Sequence, residues 1–113
     1  MKLSSSDSDG IPVLHLHGEF DIFETPTLEE DLAGRVARGT ARVVIDLTQV
    51  SFVNSSTLAF FIRAQRTLRE KGGEVVLANP RRHLHRTLTT LGLAQVFRIV
   101  GSVSEAVAAL RPS

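Results

Sequence analysis

The sequence contains no cysteine, and this absence excludes several kinds of chemistry at once. Without Cys the chain has no disulfide, no thiolate nucleophile and no Cys-based zinc site, so a redox role is excluded. An excess of charge of one sign is also missing, because 13 Lys and Arg face 12 Asp and Glu, for a net charge of +1. Such a chain creates no long-range field towards nucleic acid or an anionic membrane, so we expect binding to be local and driven by shape.

Long apolar runs are missing as well. No run approaches the ~20 residues that cross a bilayer, and the first residues lack the apolar core of a signal peptide. We therefore expect a cytoplasmic protein without membrane insertion. The length of 113 residues fits one domain, residues 1–113, and the 42% apolar content is sufficient for a core.

Strand signals occur at four places after a polar segment, residues 1–10, that we expect to be a short arm or an edge strand. Residues 11–18 alternate between two faces, and we expect the face with Leu14 and Leu16 to be buried. Residues 19–23 are expected to form a loop. The other three predicted strands are short apolar runs at 43–47, 75–78 and 96–100. The nearly continuous apolar run at 43–47 predicts a strand that is covered on both faces.

Apolar residues at helical spacing predict four helices between and after these strands. The first begins near Thr25 and Pro26, or at a capping box formed by Thr27 and Glu30. Gly92 suits a left-handed cap after the third helix, with Leu93 folded back onto Leu88, and Ser102 with Glu105 is a capping box for the fourth. The predicted core stripes are Leu28, Leu32 and Val36; Leu58, Phe61, Ile62 and Leu68; Leu84, Leu88 and Leu91; and Val103, Ala106, Val107 and Leu110. Because strands and helices alternate, the sequence predicts an α/β sandwich with mainly parallel, right-handed crossovers.

The second helix begins in a cluster of small polar residues, Asn54, Ser55, Ser56 and Thr57. The first turn of a helix leaves about four backbone N–H groups unpaired and carries roughly half a positive charge. A phosphate on a serine there would be held, and its charge of about −1.5 to −2 would act on whatever docks over the helix start. The cluster therefore favours a binding switch. The alternative is helix capping, which these residue types also favour, although one cap needs only one residue.

Five short motifs at their intervals resemble the STAS family, the sulphate-transporter and anti-sigma-factor-antagonist domain: Gly-Glu-Phe-Asp at 18–21, Val-Ile-Asp-Leu at 44–47, Phe-Val-Asn-Ser-Ser at 52–56, Gly-Gly-Glu-Val at 72–75 and Leu-Gly-Leu at 91–93. The resemblance covers nearly the whole chain. It implies a small mixed, mostly parallel sheet packed against about four helices, and it implies no cofactor. In the antagonist branch the motif Asp-Ser-Ser-Gly begins the second helix, and its second Ser corresponds to Ser56.

The resemblance implies a partner-switching regulator rather than an enzyme. An anti-sigma factor serine kinase would phosphorylate Ser56 with ATP, a PP2C-like phosphatase would reset it, and the unphosphorylated form would capture the anti-sigma factor and free sigma. Two positions depart from the family pattern, since Asn54 replaces Asp and Thr57 replaces Gly. We expect the lost charge and the added bulk beside the acceptor to weaken or retune phosphorylation.

Two alternatives to the phosphorylated switch stay open. In one, the domain is a STAS scaffold subunit of a stress-signalling or lipid-transport complex and is not phosphorylated. In the other, the helix start binds a small ligand or nucleotide, although a single helix start without a Gly-rich loop is a shallow anion site. An enzyme is not expected, because the chain has neither a Gly-x-Ser-x-Gly motif nor a Gly-rich phosphate loop.

The residues expected to dock the partner lie around the start of the second helix: Asp21, Asn54, Ser55, Ser56, Thr57 and Phe60. Phe60 falls beside the apolar stripe of its helix, so we expect a partly exposed anchor, with packing of the helix on two sides as the alternative. Asp21 is placed in an exposed loop. Asp46 is expected instead to hydrogen-bond turn amides.

Two groups of basic residues have ordinary structural explanations. His15 and His17 share one strand face, but two His without a third ligand make a weak metal site, so we expect a polar sheet face and no metal. The basic run 81–86 lies on the polar side of a predicted amphipathic helix. No aromatic residue interleaves to stack bases, so we expect a solvated face and no nucleic-acid site.

Overall fold

The structure is a computed structural model that describes residues 2–21 and 23–111. Within these ranges the strands are β1 (Leu3–Ser8), β2 (Ile11–Phe20), β3 (Arg42–Val53), β4 (Glu74–Ala78) and β5 (Arg98–Val100). The helices are α1 (Thr25–Ala37), α2 (Ser55–Glu70), α3 (Arg82–Thr90) and α4 (Val103–Leu110). Strands and helices alternate from β2 onwards, which confirms the predicted α/β architecture.

The strands form one mixed sheet in the order β1-β2-β3-β4-β5. β1 pairs with β2 in antiparallel fashion, whereas β2–β3, β3–β4 and β4–β5 are parallel. The predicted mixed, mostly parallel sheet is therefore confirmed. Within the predicted polar segment, Leu3–Ser8 form an edge strand rather than an arm, because they pair with Leu16 to Ile11.

The core lies on both faces of the sheet. The larger cluster joins α1, α2 and α3 to one face, where Leu14 and Ile45 are completely or almost completely buried. A smaller cluster lies under α4 and contains Val13 and Val44 from the opposite face. The prediction of a strand covered on both faces at 43–47 is confirmed. For β2 the Leu face is buried as predicted, but the start of the other face is buried too, because α4 covers it.

Both β2 and β3 are longer than the sequence predicted. Glu19 and Phe20 were expected in a loop, and this expectation is wrong, because they pair with Phe52 and Val53 as the last rungs of the parallel ladder. Phe20 is only 1% exposed. The predicted loop member Ile22 lies outside the described residues. The long ladder brings the ends of β2 and β3 together beside the start of α2.

Two predictions near α3 also need correction. Leu91 was expected in the core stripe but is 59% exposed, because α3 ends at Thr90 and Gly92 turns the chain with φ +77°. The last strand begins at Arg98 rather than at 96, since a short 3-10 turn occupies Leu93–Gln95. The predicted left-handed cap at Gly92 and the burial of Leu93 are confirmed.

Two of the remaining local predictions concern helix starts, and both are confirmed. α1 begins at Thr25 with Pro in its first turn. α4 is capped by Ser102, whose side chain accepts a hydrogen bond from the Glu105 amide. Of the helices within the described ranges, none combines the length and the hydrophobicity that crossing a bilayer requires.

Candidate functional site

The start of α2 is organised by the side chain of Asn54. This residue is the N-cap, and its Oδ1 accepts hydrogen bonds from the Thr57 amide at 3.0 Å and from the Ser56 hydroxyl at 2.8 Å. Its own amide donates to the Phe20 carbonyl at the end of β2, at 3.1 Å. An N-cap oxygen satisfies an otherwise unpaired donor of the first turn. The helix start is thereby fixed against the sheet.

Ser55 and Ser56 are the first two residues of α2, and both are exposed. The only hydrogen bond of the Ser56 hydroxyl among the described residues is the one to Asn54. A phosphate on this oxygen would lie at the positive end of the helix dipole, beside backbone N–H groups without a helical partner. The site therefore offers a reachable hydroxyl where added negative charge is tolerated.

Thr57 lies in the interior, contrary to its expected place on the docking surface. Its side chain is 0% exposed, and its Oγ1 lies 2.8 Å from Thr25 Oγ1 and 3.3 Å from the Phe20 carbonyl oxygen. The Thr25 hydroxyl in turn donates to the Asp21 carbonyl at 2.9 Å. Thr57 thus connects the first turns of α2 and α1. The expectation that Thr57 adds bulk on the approach to Ser56 is wrong, because this side chain is buried and does not reach the surface.

Asp21 lies between the end of β2 and the start of α1. Its Oδ1 accepts a hydrogen bond from the Phe23 amide at 2.9 Å, and Glu24 Oε2 accepts one from the Asp21 amide at 3.3 Å. Hydrogen bonding with the Glu24 side chain, and then with the Phe23 amide, lowers the pKa of Asp21. The carboxyl group is therefore ionised at neutral pH and contributes negative charge to this edge of the molecule.

A model of the STAS domain matches residues 3–106. This chain belongs to the STAS family. The Bordetella bronchiseptica protein BtrV, whose name describes it as an anti-sigma factor antagonist, is 30% identical over 111 residues, or 98% of this chain and 96% of BtrV. An anti-sigma factor antagonist from Mycobacterium paratuberculosis is 30% identical, with a TM-score of 0.81 over 97% of this chain and 93% of that chain.

The same fold occurs in the Bacillus cell fate determinant SpoIIAA, whose structure is known in its phosphorylated form. It has a TM-score of 0.78 and 19% identity, over 96% of this STAS domain and 99% of SpoIIAA. At this identity the similarity shows the fold alone. The resemblance noted from the sequence motifs is confirmed, and so is the prediction of a STAS-like sheet with four helices.

Phe60 is part of the core of the STAS domain rather than an exposed anchor. It is 6% exposed, and its ring centroid lies 6.3 Å from that of Phe61. The expectation of a partly exposed side chain is wrong because α2 is packed on two sides. The sheet covers one side, and α1 covers the other, where Glu29 and Arg63 form an ion pair at 3.6 Å.

Two exposed aromatic residues near the α2 start were missed by the sequence analysis. Phe23, just before α1, is 83% exposed, and Phe52, near the end of β3, is 52% exposed. The Phe23 amide binds Asp21, and Phe52 precedes Asn54 by two residues, so both flank the helix start. Alternation along β3 would not have identified Phe52, because Val50, two residues earlier on the same strand, is 0% exposed.

Asp46 does not belong to this site. Its Oδ1 accepts hydrogen bonds from the amide of Thr48 at 3.0 Å and from the hydroxyl of Thr48 at 2.6 Å, so the predicted bonding to a turn amide is confirmed. The basic run is exposed at Arg82, His85 and Arg86. Among the residues that the structure describes, no three or more His, Asp or Glu form a group that could hold a metal ion.

Proposed function

We propose that this STAS domain is an anti-sigma factor antagonist that binds an anti-sigma factor serine kinase over the start of α2 and is released when Ser56 is phosphorylated. The observation that carries this proposal is the exposed Ser56 hydroxyl in the first turn of α2, in a chain similar to BtrV over almost its full length. A PP2C-like phosphatase would remove the phosphate and restore binding.

Phosphorylation at Ser56 would change the surface more than the fold. The phosphate brings a charge of about −1.5 to −2, which the helix dipole favours at this position. The same charge would be buried without a partner in an interface formed by the unmodified protein, and such a charge strongly opposes binding. Asp21, ionised at the same edge, adds to the negative potential.

The two departures from the family motif are compatible with a retained switch. Asn54 caps α2 through Oδ1, the role that an Asp oxygen at this position would also fill. Thr57 is 0% exposed and leaves the approach to Ser56 open. Both observations favour a retained phosphorylation site over the alternative of a scaffold subunit with a lost site.

The docking surface is revised accordingly. We define it by the exposed or half-exposed residues around the α2 start: Asp21, Phe23, Phe52, Asn54, Ser55 and Ser56. Thr57 and Phe60 are buried and support this surface from below. Exposed aromatic side chains supply the apolar contacts that dominate most interfaces, so Phe23 and Phe52 take the anchor role first expected of Phe60.

Phosphate transfer to Ser56 is tested by incubating the purified chain with ATP and an anti-sigma factor kinase of the same organism. Mass spectrometry should find one phosphate, on Ser56. Ser55→Ala is the matched control, because Ser55 is exposed in the same helical turn. It should be phosphorylated like wild type, whereas Ser56→Ala should not. An unmodified wild type would contradict the switch, and a phosphate that persists in Ser56→Ala would contradict the assigned residue.

The docking surface is tested by the affinity of exposed-residue variants for the same anti-sigma factor. Phe23→Ser and Phe52→Ser should each weaken binding by at least about tenfold, because removal of an anchor residue typically has an effect of at least this size. Leu91→Ser is the matched control, since Leu91 is also exposed (59%). The start of α3 lies near β3, where His83 contacts the Ser51 carbonyl, whereas Leu91 lies at the opposite end of that helix. Equal losses for Leu91→Ser and Phe23→Ser would contradict the location of the surface.

A further inference from the structure

A row of three polar side chains crosses the sheet on the face that carries α4. Ser6 on β1 places its Oγ 2.9 Å from His15 Nε2 on β2. The other ring nitrogen of His15, Nδ1, lies 2.6 Å from Asp46 Oδ2 on β3. The three side chains belong to neighbouring strands, so the sheet itself fixes their order. The order hydroxyl, imidazole and carboxylate is that of a nucleophile, its base and the group that orients the base.

The row lies on the part of this face that α4 leaves open. α4 packs on Val13, Val44 and Val76. Val13 and Val44 lie two residues before His15 and Asp46 on β2 and β3, and Val76 lies on the next strand, β4. The side chains of His15 and Asp46 retain 27% and 13% exposure, and Ser6 is exposed on the edge strand. A small molecule can therefore reach the Ser6 hydroxyl from solvent.

The carboxylate of Asp46 is held in one orientation. Its Oδ1 accepts two hydrogen bonds from Thr48, which leaves Oδ2 directed at His15. Burial raises the pKa of Asp46, but the hydrogen bonds from Thr48 and His15 outweigh burial and lower it overall. An ionised Oδ2 only accepts hydrogen bonds, so His15 Nδ1 must carry the proton. In the neutral ring, Nε2 then has its lone pair towards Ser6.

We propose that Ser6, His15 and Asp46 form a nucleophilic serine site that accepts acyl groups from small activated esters. Ser6 is the nucleophile, His15 the general base, and Asp46 a positioning residue that fixes the tautomer of His15. This activity is separate from the switch at Ser56, because His15 and Asp46 lie on the α4 side of the sheet, beyond the part that α4 covers, and the switch lies at the start of α2. Acylation of Ser6 would therefore be a second covalent modification of this domain that does not depend on the kinase.

The reaction balances with the substrate and water alone. Ser6 Oγ attacks the ester carbonyl carbon while its proton passes to His15 Nε2. The carbon–oxygen bond to the leaving alcohol breaks, the alcohol takes that proton, and an acyl ester of Ser6 remains. Water then attacks this ester with His15 as base, which releases the acid and restores Ser6. Because Ser6 stands on an open strand, we expect turnover only with good leaving groups, such as aryl esters or thioesters.

The same two strands contain a matched control pair that lacks the carboxylate. Ser4 Oγ lies 3.4 Å from His17 Nε2, two residues along each strand from Ser6 and His15. Within the described residues no hydrogen bond or ion pair joins His17 to an Asp or Glu. If a serine and a histidine on an open sheet were sufficient, Ser4 would react like Ser6. The comparison therefore isolates the contribution of Asp46.

Labelling with a fluorophosphonate probe tests the nucleophile directly. Ser6 Oγ should displace fluoride from phosphorus, and mass spectrometry should find the label on Ser6 at least about tenfold faster than on Ser4. Ser4→Ala should be labelled like wild type, and Ser6→Ala and His15→Gln should lose the label. p-Nitrophenyl acetate should acetylate Ser6 with release of p-nitrophenol, and water should then hydrolyse the acetyl ester of Ser6 to acetate and free Ser6. Equal, slow labelling of Ser4 and Ser6 would overturn the proposal and leave only a hydrogen-bonded surface row.

The role of Asp46 needs a readout that a structural role would not change. In wild type, ¹⁵N spectra should show neutral His15 protonated at Nδ1, and Asp46→Asn should alter that tautomer and slow labelling by at least about tenfold while circular dichroism shows a folded chain. Should Asp46→Asn unfold, Thr48→Val gives the second measurement, since it removes only the hydroxyl that holds Oδ1 and should slow labelling less. A His15 protonated at Nε2 in wild type would overturn the proposal.

Discussion

Replacing Thr57 by Val retains the shape of the side chain and removes one buried hydroxyl. Thr57 Oγ1 has a single proton and lies within hydrogen-bond distance of Thr25 Oγ1, Asn54 Oδ1 and the Phe20 carbonyl. Thr25 still donates to Asp21 after the change, and Asn54 still accepts from Ser56 and from the backbone amide of residue 57. The loss is therefore about one hydrogen bond with partial desolvation of its partners, or roughly 1–2 kcal/mol.

Thermal and urea denaturation measure this loss. For a domain of 113 residues, a change of 1 kcal/mol shifts the melting temperature by roughly 4 °C, so we expect Thr57→Val to melt about 4–8 °C lower. Thr67→Val is the matched control, because Thr67 is exposed in the same helix and undergoes the same chemical change. It should stay within about 0.5 kcal/mol of wild type. Equal stabilities of the two variants would refute the structural role of the Thr57 hydroxyl.

Thr57→Gly restores the residue of the family motif and extends the same reasoning. It removes the hydroxyl, leaves a small cavity, and adds about 1 kcal/mol for glycine in a helix, so we expect a loss of roughly 2–4 kcal/mol. Because the side chain is 0% exposed, the variant should be phosphorylated at the wild-type rate while it is folded. A clearly faster rate would show that Thr57 obstructs the kinase after all.

Three further predictions test the core and the acid stability. Phe60→Ala should cost about 3–5 kcal/mol in a denaturant titration, because Phe60 is a core residue; a cost below about 1 kcal/mol would contradict its burial. Gly73→Ala should be destabilising, since a Cβ there would lie 1.7 Å from the Ala41 carbonyl oxygen; wild-type stability would contradict that contact. Because the pKa of Asp46 is lower in the folded state than the ordinary value of 3.8, its carboxylate adds to the free energy of unfolding above that pH, and this contribution is lost as the pH falls through the lowered pKa; in Asp46→Asn the free energy of unfolding should therefore depend less on pH in this acid range.

The sequence was most informative where one local pattern determines one local structure. The Ser102 cap of α4, the Pro in the first turn of α1 and the left-handed Gly92 each depend on a few adjacent residues, and each was predicted correctly. The buried strand at 43–47 was also predictable, because continuous β-branched residues require cover on both faces. The family motifs located Ser56 at the start of the second helix.

What the sequence could not supply was the packing of one helix on another. Phe60 and Thr57 looked like surface residues because the apolar stripe of α2 already accounted for the sheet, and only the position of α1 shows that a second side is covered. The length of β2 depended likewise on its ladder with β3, which no local signal in Glu19 or Phe20 reports. The row of Ser6, His15 and Asp46 joins three strands and is visible only once their register is known.

The central claim is that phosphate on Ser56 controls binding of the anti-sigma factor. The most direct test is calorimetric titration of one anti-sigma factor with two forms of this chain, unmodified and phosphorylated stoichiometrically at Ser56. We predict that the phosphorylated form binds at least about tenfold more weakly, a difference of roughly 1.4 kcal/mol or more, while both forms remain folded. Equal affinities of the two folded forms would contradict the switch.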